Sequence, residues 1–178
     1  NDVNYYAQYS LGCFGQEKTG FFKKDWRLQS LQEIAFSILG LDYFESKTKI
    51  TIKNKFKLNF NRYVCIAIQS TSQSRYWNND DGWIKTVDYL KSIGYKVICI
   101  DKHYSFGCNS NINVCPSNVD YFAGNDSFDD VINILYNCDF FIGLSSGLSW
   151  LAWGLNKKVI RINTSVVANF EFFTPYNV

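Results

Sequence analysis

Methionine is absent from the 178 residues and histidine occurs once, at His103. A single histidine with no partner set around it gives no basis for a histidine-built metal centre, and no C-x-x-C spacing joins the six cysteines into a zinc or redox motif. Cys65, Cys99 and Cys138 fall within or beside apolar runs, where cysteine serves as a small buried hydrophobe. Cys108 and Cys115 flank a polar loop and could pair or hold a metal. No apolar run approaches the roughly 18 residues of a membrane helix, and the first residues lack the basic, apolar, small-residue order of a secretory leader. The expectation is a cytoplasmic chain without a membrane span. Charge of one sign is also lacking: 18 basic and 16 acidic side chains leave a net charge of +2, spread along the chain, which argues against a nucleic-acid partner. Neither G-x-G-x-x-G nor G-x-x-x-x-G-K-S/T is present, which disfavours a standard dinucleotide or P-loop site. With no initial Met and no clear end to the last element, the sequence is expected to be a piece of a longer protein.

What is present is 47% hydrophobic residues, enough to build a core. From Trp26 to Leu39 the apolar positions follow a helical stripe that stops at Gly40. Between Lys49 and Phe60, Ile50, Ile52, Phe56, Leu58 and Phe60 alternate with Lys and Asn, which reads as a strand or hairpin crossing between two parts of the structure. A different pattern begins at Tyr63. Val64–Ile68 is a buried strand, Gln69–Gly82 a long polar loop, and Trp83–Ile93 an amphipathic helix closed by Gly94. Lys96–Ile100 is the next strand, and a loop through Pro116 leads to a short run at Val119–Phe122. Ser127 then caps a helix with Asp129 and Asp130 in its first turn. Phe140–Gly143, a turn at Ser145-Ser146-Gly147, a helix, and Val159–Asn163 complete the pattern. Strands alternating with helices predict an α/β chain with a parallel Rossmann-like sheet covered on both faces. The expected boundary separates residues 1–60 from a nucleotide-binding domain at 61–178.

In such a sheet the loops leaving the carboxyl ends of the strands share one rim, where ligands bind. Three rim segments stand out. The loop after the first strand holds Gln69, Thr71, Ser72, Arg75 and Trp77: hydroxyls, an amide, a cation and an aromatic suited to phosphate and sugar. Asp101 follows the second strand, in the position of a carboxylate that accepts from ribose hydroxyls. Ser145, Ser146 and Gly147 open a helix whose first N–H groups and positive dipole end suit an anion. Arg75 opposite that helix would neutralise a diphosphate from two sides.

The ordered segments QSTSQSRYWNN, CDFFIGLSSGLSWLAWGLNKKVI and FEFFTPY resemble the bacterial autotransporter heptosyltransferases, relatives of the lipopolysaccharide heptosyltransferases of glycosyltransferase family 9. The resemblance covers most of Tyr63–Tyr176 and more loosely the WRLQSLQEIAFSILGL segment. It implies a GT-B fold with residues 1–60 at the end of the acceptor-side domain and 61–178 in the nucleotide-sugar domain. It further implies metal-independent transfer of heptose from ADP-heptose to a hydroxyl, a serine of an autotransporter protein. A lipopolysaccharide or capsule transferase with another donor or acceptor is one alternative, and a non-catalytic nucleotide-binding module is another. By the same resemblance Gln69, Thr71 and Arg75 fall in the first donor loop and Ser145–Gly147 at the diphosphate helix. Arg75 stands where the family usually has Lys, which keeps the charge but replaces a point donor with a planar fork. The general base and an iron-binding cysteine cluster are expected outside this stretch, with no other cofactor, and a homo-oligomer is among the expectations.

Overall fold

The computed structural model describes residues 30–52, 58–70, 75–108 and 111–163. The chain divides into two compact units that part between Ser46 and Lys47, upstream of the expected boundary at 60; residues 30–46 are the described part of the first and 47–163 contain the described part of the second. In the first unit, α1 (Leu31–Leu39) begins at Ser30, whose hydroxyl accepts the Glu33 N–H at 3.0 Å. It ends at Gly40, which adopts φ 68° and so closes the helix in the left-handed region. Phe36 then packs edge-on against Tyr43 and Phe44, each at 5.5 Å between ring centroids. The N-terminal part of the expected helix, Trp26–Gln29, lies outside the described residues.

The second unit is built on one parallel sheet. Its strands are β1 (Tyr63–Ala67), β2 (Lys96–Cys99), β5 (Tyr121–Phe122), β6 (Phe140–Leu144) and β7 (Lys158–Ile162), in the spatial order β5-β2-β1-β6-β7. α2 (Gly82–Ser92) carries the crossover from β1 to β2, α3 (Phe128–Asn137) runs from β5 to β6, and α4 (Gly147–Gly154) connects β6 to β7. The central strands are apolar throughout because both faces are covered. Val64, Ile66, Val97 and Ile142 form one core with Val87, Leu90 and Trp83 of α2. On β1 the alternate side chain, Cys65, reaches α3, where its thiol lies 4.0 Å from the Ile134 carbonyl, and Tyr63 Oη donates to that same carbonyl at 2.7 Å. Burial pushes the Tyr63 hydroxyl well above its ordinary pKa, so it stays a donor. Ser127 caps α3 as expected, accepting the Asp130 N–H at 3.1 Å.

Two expectations are corrected. The loop between Ile100 and Pro116 contains an antiparallel hairpin, β3 (Ser105–Cys108) and β4 (Asn111–Val114). The alternating stretch has no strand at residues 47–52 or 58–60, and 53–57 lie outside the described residues. Lys47 instead donates to Asn156 Oδ1 at 2.9 Å and stands 5.3 Å from the centre of the Trp153 ring, while Ile50 packs on Gly154, so this segment lies along the far end of α4. Cys115 is a buried free thiol, and Cys108 is not described at side-chain level.

Candidate functional site

The strand order reverses between β1 and β6: β2 and β5 lie on one side of this pair, β7 on the other. Loops leaving adjacent strands at such a point diverge to opposite faces and open a crevice, the usual ligand position of doubly wound sheets. The register pairs Ala67 with Gly143, so the Ile68–Trp77 loop and the Ser145-Ser146-Gly147 turn leave the sheet side by side. Gly143 makes this approach tight. A methyl there would stand 2.6 Å from the Phe141 ring and 3.1 Å from the Ala67 carbonyl oxygen.

At the turn, Ser146 occupies the N-cap of α4 in extended conformation, yet its side chain caps nothing. Its Oγ is buried and has no hydrogen-bond partner among the described residues. A buried hydroxyl left in this state is costly, of order 1–3 kcal/mol, unless something occupies the space before it. Gly147 follows, exposed, with nothing within 4 Å of where a Cβ would lie. Ser145 is 2% exposed and belongs to the wall. Ser149, which the sequence did not single out, is fully buried and donates its hydroxyl to the Leu144 carbonyl, fixing the start of α4 to the end of β6. This bond holds the start of α4, whose first N–H groups lack partners within the helix, at the mouth of the crevice.

On the β1 side, Asp101 follows the end of β2 and faces the first loop. It is 3% exposed and its Oδ2 accepts the Ile68 N–H at 2.7 Å. Burial raises its pKa from 3.8 to about 6, against the lowering effect of hydrogen bonds from the backbone of Ile68, Cys99 and the backbone of Gln69. Asn113 of β4 donates to the Ile68 carbonyl at 3.2 Å, so both polar groups of Ile68 are held by side chains where the ladder ends. Cys99 Sγ lies 3.5 Å from the Asp101 carboxylate; its hydrogen bond with Cys115, and then burial, push the Cys99 thiol up. Neither Asn113 nor Cys99 announced this role, because both sit in runs whose pattern signals only strand or loop.

The remaining expected residues are placed as follows. Gln69 donates its side-chain N–H to the His103 carbonyl, tying the first loop to the segment after β2. Thr71 and Ser72 lie outside the described residues. Arg75 is half-buried, and none of the ion pairs among the described residues involves it. Trp77 turns toward α2: its ring meets Trp83 edge-on at 5.3 Å and covers Gly82, where a methyl would be 2.7 Å from it. Among the described residues no group of three His, Cys, Asp or Glu side chains is arranged to hold a metal, and no helix is long and apolar enough to cross a membrane.

Comparison with known proteins gives the family. Residues 24–178 match the family model for glycosyltransferase family 9 (heptosyltransferase). The chain is 38% identical over 97% of its length to the autotransporter heptosyltransferases BAHTCr of Citrobacter rodentium and TibC of Escherichia coli, covering 42% of each. It is 29% identical over 98% of its length to the inactive autotransporter heptosyltransferase BimC of Burkholderia thailandensis, covering 41% of that protein. The chain thus spans less than half the length of these relatives. The crystal structure of dodecameric iron-containing TibC in complex with ADP-D-β-D-heptose superimposes with a TM-score of 0.81 at 37% identity, covering 99% of this chain and 46% of that one. A five-stranded parallel sheet of this order and a family match over most of the sequence lead to one conclusion: the chain belongs to glycosyltransferase family 9, the heptosyltransferases, and has their GT-B type fold.

Proposed function

We propose that the protein of which this chain is part transfers heptose from ADP-heptose to a serine hydroxyl of an autotransporter protein, and that the crevice between β1 and β6 holds the donor. The observation that carries the reading is the buried Ser146 hydroxyl, without a partner among the described residues, beside the open backbone of Gly147 at the start of α4. In the transfer the acceptor oxygen attacks the anomeric carbon, the bond from that carbon to the diphosphate oxygen breaks, and ADP departs carrying the electron pair. Negative charge grows on the diphosphate, so groups that meet it there lower the barrier more than they tighten the ground state. The Ser146 hydroxyl, the backbone N–H of Gly147 and the Arg75 guanidinium fill that role, the last as a bidentate donor where relatives carry Lys.

Asp101 acts in this reading as a positioning residue, since its carboxylate is taken by the Ile68 backbone. The acceptor proton goes to a base supplied by a part of the whole protein outside residues 1–178. The iron and the dodecamer described for TibC are proposed for the whole protein too, as is a cytoplasmic location, where a nucleotide-activated sugar is available.

The test uses the full-length protein with ADP-heptose and an autotransporter passenger, read by mass spectrometry of the passenger. Heptose added to serine supports the reading. Tight ADP-heptose binding with neither transfer nor hydrolysis would leave a nucleotide-binding module, and heptose appearing only on a lipid acceptor would move the protein to surface-polysaccharide assembly.

A further inference from the structure

A second concavity, of about 500 Å³, lies between the Tyr76–Asp80 segment, the first turn of α2 and the β3–β4 hairpin. Its size falls in the range of small-molecule sites. The Trp77, Trp83 and Tyr104 rings supply aromatic surface, and Asn78, Asn79 and Asp80 supply planar amide and carboxylate groups. Trp83 is 7% exposed, and its indole N–H is buried without a partner among the described residues. A buried N–H without a partner costs free energy. Tyr104 and Ile112 are 49% and 55% exposed, so apolar surface faces solvent on the hairpin side of the same concavity.

Charge decides the class of ligand. Among the described residues the lining contains Asp80 and no Lys, Arg or His, so its charge disfavours a diphosphate. Aromatic faces beside planar amides and one carboxylate suit a pyranose, whose ring presents C–H groups on one face and hydroxyls at its edge. The C–H face stacks on a ring, while adjacent hydroxyls donate to a carboxylate or amide oxygen and accept from amide or indole N–H groups. We propose that this groove binds a neutral pyranose sugar, at a site separate from the crevice between β1 and β6.

The site does not depend on the proposed transfer. Saturation-transfer NMR on the full-length protein with methyl mannopyranoside, free heptose and a heptosylated serine peptide tests it, with tryptophan fluorescence as a second readout from Trp77 and Trp83. Ring protons of the sugar are expected to receive saturation, ADP is expected not to displace it, and the free and peptide-linked arms distinguish the two sources of the sugar. Tyr104→Ala removes an exposed ring and should weaken sugar binding about tenfold, the size of one aromatic stacking interaction, with ADP affinity unchanged. No transfer to any pyranose at millimolar concentration would overturn the proposal. So would displacement by ADP, or binding of the unglycosylated peptide in place of the sugar.

Discussion

Replacing Asp101 with Asn tests the account of the crevice wall most directly. The buried carboxyl has its pKa raised from 3.8 to about 6. Between those values the folded protein binds a proton that the unfolded chain does not, so this group's contribution to stability is greatest below the unfolded pKa and falls as pH rises through the folded one. A shift of about two units at 1.36 kcal/mol each amounts to roughly 3 kcal/mol over the whole titration, of which about 2 kcal/mol is lost between pH 4.5 and pH 7.5. Asn keeps the shape and an oxygen able to accept the Ile68 N–H, whose present bond is 2.7 Å, but has no proton to lose. Unfolding by denaturant across pH 4.5 to 7.5 would be compared between parent and Asp101→Asn, so that other titrating groups cancel. The parent should lose about 2 kcal/mol relative to the variant over this interval, since part of the change already lies below pH 4.5. Asp101→Ala leaves the Ile68 N–H without its acceptor and should cost about 1–3 kcal/mol at low pH, where the parent carboxyl is neutral. Parallel pH profiles for parent and Asp101→Asn would show that the carboxylate is not buried as described, and the argument for a fixed first loop would fail.

Gly147→Val, read by calorimetric titration with ADP beside circular dichroism, should abolish ADP binding in a folded protein, because the space before Gly147 is open and a side chain would fill it; unchanged affinity would move the anchor elsewhere. Arg75→Ala should lower ADP-heptose affinity by about 2 kcal/mol, the size of one charge-assisted hydrogen bond to the diphosphate, with no change in melting temperature. Ser149→Ala should lower stability by about 1 kcal/mol through loss of the hydroxyl's bond to the Leu144 carbonyl and weaken ADP binding as the start of α4 loosens; parent-like values for both would remove Ser149 from the support of the site.

The βαβ order was legible because β1, β2 and β6 are buried on both faces and therefore read as unbroken apolar runs, while Ser127 and Gly40 announce helix ends through their own chemistry. The hairpin at Ser105–Val114 was not legible. It has one glycine and three asparagines, and its apolar residues Ile112 and Val114 are more than half exposed, so no buried face imposes a period of two. The stretch near Ile50 misled in the opposite way: its apolar residues alternate, yet Ile50 packs on Gly154 of α4 and residues 47–52 form no strand. Sequence position brought Asp101 to the rim, but only the packing around Ile68 decides which way its carboxylate turns.

The central place of β1 sets an order on how the crevice can form. Its partner on one side, β2, begins at Lys96, whereas its partner on the other, β6, begins at Phe140. As the chain leaves the ribosome N-terminus first, β1 can pair with β2 and receive α2 while the second wall has not yet been made. Closing β1 onto β6 spans the longer separation and carries the larger loop entropy, so it belongs to a slow, late step. The half-sheet that waits for it exposes the β6-facing edge of β1, an apolar strand with unpaired backbone groups. Truncations that end before Leu144 should consequently aggregate rather than yield a smaller folded unit, even though they retain the first loop and Arg75.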